Sequence, residues 1–306
     1  MIGELVALGA AICWTISAVL YKRVLSETKP ISANIVRLVC TSLILVVFLV
    51  VIGKFQVLMS LPVYAVLLAC FSGVVGLGLG DTLYMMSLKL LGVARAVPIT
   101  CTYPLFTLLV AVLLQGKSVA PQTAVAATVI VFGIWLLTGK KESSESESHG
   151  NTLVKGTVIA LAVAVVWAVS IVAIDVAVTL PETSSFDGAL ALNAVRVSSV
   201  AVFLLASAPF IDRKLGFARV RRKALVLLVF GGLVALGLGW FFLAYSFLYI
   251  SEAEAVPISS TSPLFAVLSG MLFLHEQVTS RNVAGSVVIV LGVFLLFVRV
   301  PFLSHV

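Results

Sequence analysis

The chain has 306 residues, of which 61% are hydrophobic and only 11% charged, and its mean hydropathy is +1.20. A soluble globular domain carries about 25% charged residues, so the composition excludes a water-soluble fold and makes the bilayer the solvent. The formal net charge of +7 raises nucleic acid as a partner. However, the basic residues fall in short segments between apolar runs, with no basic stripe interleaved with aromatics, and nucleic acid is excluded too.

In chain order, apolar runs of bilayer-crossing length predict ten helices: 3–22, 31–53, 62–88, 92–114, 120–138, 153–176, 187–211, 223–249, 252–274 and 281–299. The first has no basic segment ahead of it and reads as a retained span rather than a cleaved signal. From Gly139 to Asn151 the chain is polar, low in complexity and unable to bury a core. The predicted organisation is a five-helix unit at 1–138, a polar linker at 139–152 and a second five-helix unit at 153–306.

The two units repeat one another. An offset of 159 residues carries Asn34 onto Asn193, Arg37 onto Arg196, Gly80 onto Gly239, Pro98 onto Pro257, Pro104 onto Pro263 and Gly133 onto Gly292. The first span joins at a slightly different offset, with Ala11-x-x-Trp14-x-x-Ser17 matching Ala164-x-x-Trp167-x-x-Ser170. An odd number of spans per unit turns the second upside down. The fold class is therefore read as all-α, with ten transmembrane helices arranged as two inverted five-helix repeats.

Loop charge predicts orientation. One side gathers Lys22, Arg23, Lys29, Lys89, Arg95, Lys140, Lys141, Lys155, the run from Arg213 to Lys223, and Arg281. The other has Lys54, Lys117 and Arg299 beside Glu252 and Glu254. The basic side is expected in the cytoplasm, which puts both termini outside a multi-pass protein of the cell membrane.

Gly76-x-Gly78-x-Gly80 resembles a nucleotide loop only in spelling. It lies within a span, where small residues four apart allow close helix packing. Pro98 and Pro104, with Pro257 and Pro263, predict two doubly kinked spans lining the bundle interior. Hydroxyls cluster beside them at Thr100, Thr102 and Tyr103, and from Ser259 to Ser262. They wall a cavity or bond back to their own helix.

Asp81, deep in the third span and matched by Trp240, is the candidate for proton or cation coupling, against a structural pair with a nearby cation. Arg37 and Arg196, with Asn34 and Asn193, are candidates for a paired gate or anion contact; snorkelling to the headgroups is the alternative. Trp14, Trp167, Tyr84, Tyr103, Trp240 and Ser262 are the expected cavity wall; Trp14, Trp167, Tyr84, Trp240 and Tyr245 would form an aromatic cage or, alternatively, an interfacial belt.

Catalysis is not expected. His149, His275 and His305 lie in the linker, at a span end and near the C-terminus, forming no metal set and no nucleophilic triad. Cys13, Cys40, Cys70 and Cys101 read as buried small hydrophobes. No cofactor and no metal are called for.

Two five-helix copies with an early Trp, Asn-x-x-Arg in the second helix and Ala96-Val97-Pro98-Ile99 followed by Pro104-Leu105-Phe106 resemble the drug/metabolite transporter superfamily, in particular its ten-helix EamA-type exporters. The resemblance spans nearly the whole chain. It implies a transporter of small metabolites, often amino acids, driven through a central cavity by a proton or counter-substrate gradient. Family members carry a glutamate at the end of each fourth helix; Glu276 matches this and Lys117 departs from it. The expected partners are a small-molecule substrate, protons or a counter-substrate, and the lipid bilayer. The competing readings are a lipid scramblase or flippase, with a groove open to lipid, and a non-transporting membrane scaffold.

Overall fold

The computed structural model describes residues 2–115, 121–138, 147–212, 215–250 and 252–297. These build α1 (Ile2–Val24), α2 (Pro30–Val51), α3 (Val63–Leu91), α4 (Val93–Thr100), α5 (Tyr103–Gln115) and α6 (Pro121–Thr138). After the segment between the units come α7 (Glu147–Val178), α8 (Phe186–Ile211), α9 (Arg222–Ser246), α10 (Glu252–Ser259), α11 (Ser262–Leu274) and α12 (Ser280–Phe297). Among the described residues there is no strand. Seven helical stretches are long and apolar enough to cross a membrane: α1, α2, α3, Asn151–Val178 of α7, α8, α9, and Ala255–Leu274 across α10 and α11. Within the expected linker, residues 147–152 are already the first turns of α7, and the remainder lies outside the described residues.

The proline pairs act differently from the expected double kink. Each expected span is two helices with a two-residue break, at Cys101-Thr102 and at Ser260-Thr261. Pro98 and Pro257 sit inside α4 and α10, while Pro104 and Pro263 are the second residues of α5 and α11. There a missing N–H costs nothing, because the first N–H groups of a helix have no intrahelical acceptor. The second proline of each pair therefore starts a new helix.

The bundle is apolar on its outer face as well as through most of its core, and the buried polar groups form a minority set within it. On α2, Leu43, Val47 and Val51 are exposed while Asn34, Arg37 and Thr41 are buried. The outward apolar face suits lipid, and the inward polar groups must find partners within the protein. Helices α2 and α8 pack together, α3 packs on α7, and α1 packs on α9 and α11. Helices α6 and α12 lie against each other through small residues: a Cβ on Gly292 would come within 2.7 Å of Ile130.

The loops gather at two ends. At one, Arg221 pairs with Glu27 at 3.1 Å and Lys22 donates to Leu88 O at 2.8 Å. At the other, Lys54 pairs with Asp187 at 2.5 Å.

Candidate functional site

Helix α1 carries Trp14, Ser17 and Tyr21 at helical spacing on one face, and all three line a cavity of about 40 Å³ between the two halves. Asp81 and Tyr84 of α3, Arg37 of α2, and Thr100, Cys101 and Tyr103 at the α4–α5 break complete one side. Trp167, Ala235, Trp240 and Ser262 come from the second half.

Two matched stretches set the geometry. Residues Gly73–Gly80 of α3 and Leu233–Gly239 of α9 are π-helical, and Asp81 and Trp240 follow them directly. Wider turns weaken the regular backbone ladder and recur at functional sites. A buried amide supports each of them. Asn34 Nδ2 donates to Leu77 O at 2.9 Å, and Asn193 Nδ2 donates to Leu236 O at 2.8 Å. An indole lies over the last glycine of each stretch. A Cβ on Gly80 would approach Trp167 to 2.8 Å, and one on Gly239 would approach Trp14 to 2.7 Å. Here glycine provides the close approach that the sequence pattern anticipates.

Charge breaks the symmetry. Arg37 is the eighth residue of α2 and Arg196 the eleventh of α8, and each is 1% exposed, so neither snorkels to the headgroups. Arg37 Nη2 donates to Asp81 Oδ2 in a buried ion pair, and its Nε donates to Asn34 Oδ1 at 2.9 Å. Its guanidinium lies 4.8 Å from the Tyr21 ring centre. Trp167 Nε1 donates to Asp81 Oδ1 at 2.9 Å, so both carboxylate oxygens are engaged.

Arg196 has no such partner. Its Nη2 donates to Ser170 Oγ at 2.9 Å, its guanidinium sits 4.1 Å over the Trp240 ring, and its Nε is unpaired. No carboxylate among the described residues lies within ion-pair distance of it. Trp240 stands where Asp81 stands in the other half. It packs 5.1 Å from Trp14, whose Nε1 is also unpaired, and 6.4 Å from Trp167.

The hydroxyls do both things expected of them. Thr100 Oγ1 donates to Val97 O at 3.0 Å, Thr102 Oγ1 to Ile99 O at 2.7 Å and Thr261 Oγ1 to Ile258 O at 2.8 Å, each back to the helix that leads into the break. Across the halves, Tyr103 OH meets Ser259 Oγ at 2.8 Å and Cys101 Sγ meets Ser262 Oγ at 3.2 Å.

All six expected wall residues, with Asp81 and Arg37, line this one cavity; Arg196 reaches it through Trp240, and Asn34 and Asn193 lie behind it. Tyr245 does not reach it. It belongs to a separate aromatic group with Phe186, Phe241 and Tyr249. Tyr21 was missed, although its place seven residues after Trp14 puts it on the same helical face. Its hydroxyl donates to Gly231 O at 2.7 Å, tying α1 to α9. Lys117 lies outside the described residues. Glu276, its match, accepts from Val93 N at 2.8 Å and Ala94 N at 2.9 Å, capping α4 from the end of α11.

A small, mostly apolar-lined cavity with a buried ion pair in its wall, inside a helical bundle with an apolar outer face, marks a multi-pass membrane protein. The model of the EamA-like transporter family matches residues 1–139 and 154–298, and the chain belongs to that family. An uncharacterized transporter of Archaeoglobus fulgidus is 28% identical over 297 residues, which cover 97% of this chain and 98% of that one. One solved structure, titled only as the crystal structure of a protein, matches with a TM-score of 0.64 at 17% identity. That match covers 96% of this chain and 95% of the other, and it speaks for the fold alone.

Proposed function

We propose that this membrane transporter is a secondary active carrier, working as an exporter. It would move a small metabolite such as an amino acid across the cell membrane by alternating access. The observation that carries the reading is the cavity walled by both halves of the repeat, with a buried ion pair in its wall. Its volume of about 40 Å³ suits a few waters and no metabolite, so cargo enters only when the walls part. The broken helices α4–α5 and α10–α11 supply ready points for that movement.

The ten-helix inverted arrangement is part of the proposal, with units at 1–138 and 153–306. It is supported by the directions of the matched helices α1 and α7. Gly3 at the start of α1 packs on Ile250, whereas Gly156 near the start of α7 packs on Leu91, at the opposite end of the bundle. The basic end is assigned to the cytoplasm and both termini to the outside. Scrambling would call for a polar groove open to lipid. The hydroxyls of Thr100, Thr102, Ser259, Ser260 and Ser262 are all buried instead, which favours the carrier.

The test is uptake of a labelled pool of amino acids and monocarboxylates by proteoliposomes, with and without an imposed pH gradient. Gradient-stimulated uptake that Asp81→Asn abolishes is the expected result. Full gradient-driven uptake by that variant would remove Asp81 from coupling.

A further inference from the structure

The buried charges around the cavity do not balance. Arg37 and Asp81 neutralise each other, and Arg196 remains as one positive charge with 1% exposure. A guanidinium stays protonated in a protein, so it cannot shed this charge as a buried lysine can. Ser170 gives it an oxygen dipole and Trp240 a π face, but neither carries a formal charge. Its Nε points at no acceptor. Asp81 feels its field but has both oxygens committed, one to Arg37 and one to Trp167. A buried cation left this way is destabilising unless an anion arrives to pair with it.

Resting on the carrier reading above but replacing its example of an amino acid, we infer that the cargo is a monocarboxylate that carries no amine and has an aromatic or apolar body, whose carboxylate docks on Arg196. Guanidinium presents a planar fork that matches a carboxylate with two parallel hydrogen bonds. Trp240 lines the cavity and carries the guanidinium over its ring, so the carboxylate reaches Arg196 as this indole turns aside. The body of the cargo then lies among Trp14, Tyr84, Tyr103 and Trp167, which offer flat apolar faces. A cationic amine would add to the imbalance. A zwitterion would bring its own ammonium beside Arg196 and leave the imbalance in place.

The test uses three ligands that share one phenyl body and differ in charge: phenylacetate, phenylalanine and phenethylamine, with chloride as a bodiless anion. Each is titrated into the purified full-length protein while tryptophan fluorescence is read; three of the four tryptophans line the cavity. Phenylacetate should bind about tenfold more tightly than either other phenyl ligand or chloride. Arg196→Gln should lose that preference, Arg196→Lys should retain part of it, and Asp81→Asn should strengthen phenylacetate binding.

Equal or tighter binding of the amine, the zwitterion or chloride overturns the inference. So does an unchanged preference in Arg196→Gln, or the absence of binding by all four. The ranking in the unmodified protein stands as a test even where a variant folds poorly. Phenylacetate binding without vesicle uptake would count against transport and leave the anion site. Gradient-driven phenylalanine uptake without phenylacetate binding would do the reverse.

Discussion

Arg37 and Arg196 occupy equivalent places in the repeat, yet their surroundings differ because position 81 is aspartate and position 240 is tryptophan. Removing one partner of a buried pair strands the other charge, at a cost of about 3–5 kcal/mol. Asp81→Asn is therefore expected to lower the midpoint of thermal unfolding in detergent sharply. The double change Arg37→Gln with Asp81→Asn should cost less than Asp81→Asn alone. Arg196→Gln should behave oppositely, leaving stability within about 1 kcal/mol or raising it, because it removes a charge with no carboxylate beside it. A midpoint loss for Arg196→Gln as large as that for Asp81→Asn would show that Arg196 has a counter-charge. The Asn-x-x-Arg motif is visible in the sequence. That the two arginines lie fully buried, two or more turns from the helix starts, is not, because an apolar run has no internal mark of membrane depth.

The break between α4 and α5 needs something to hold the short α4 in place, and Glu276 does this from the far half. His275 takes the left-handed backbone conformation (φ 52°) that ends α11 and turns Glu276 toward α4. Its carboxylate then satisfies the Val93 and Ala94 N–H groups, which a helix start leaves without acceptors. Glu276→Ala should cost about 1–2 kcal/mol, as loss of a good helix cap does, with Glu276→Gln between it and the parent. Gly92→Ala should cost more than about 1 kcal/mol. The residue sits at φ 80°, and a Cβ there would come within 2.8 Å of the Glu276 carboxylate. Thermal unfolding of the three variants measures this. Unchanged midpoints would mean that α4 is held by its apolar packing alone. The prolines are legible as helix breakers, but a spelling of two prolines six apart fits a kinked helix and a broken one equally well. Only the packing of α5 and α11 as separate helices decides between them.

For the whole molecule, the contacts agree with the loop sides drawn from charge. Glu27 meets Arg221 at one end and Lys54 meets Asp187 at the other. With the native cysteines replaced, Ser26→Cys should react with an impermeant thiol reagent only from the cytoplasmic side, and Ser60→Cys only from outside. Both positions are exposed, so accessibility does not limit the reaction. The reverse pattern would turn the protein over in the membrane.

The helical membrane class, the internal repeat, the small-residue packing and most of the cavity wall are determined by sequence alone, because hydropathy, period and repeated spelling are properties of the chain itself. The pairing of Arg37 with Asp81, the isolation of Arg196 under Trp240 and the capture of α4 by Glu276 join residues 44, 44 and 183 positions apart. The first two depend on how helices pack within one half and the third on how the halves face each other, and charge balance in a buried site exists only once that packing is set.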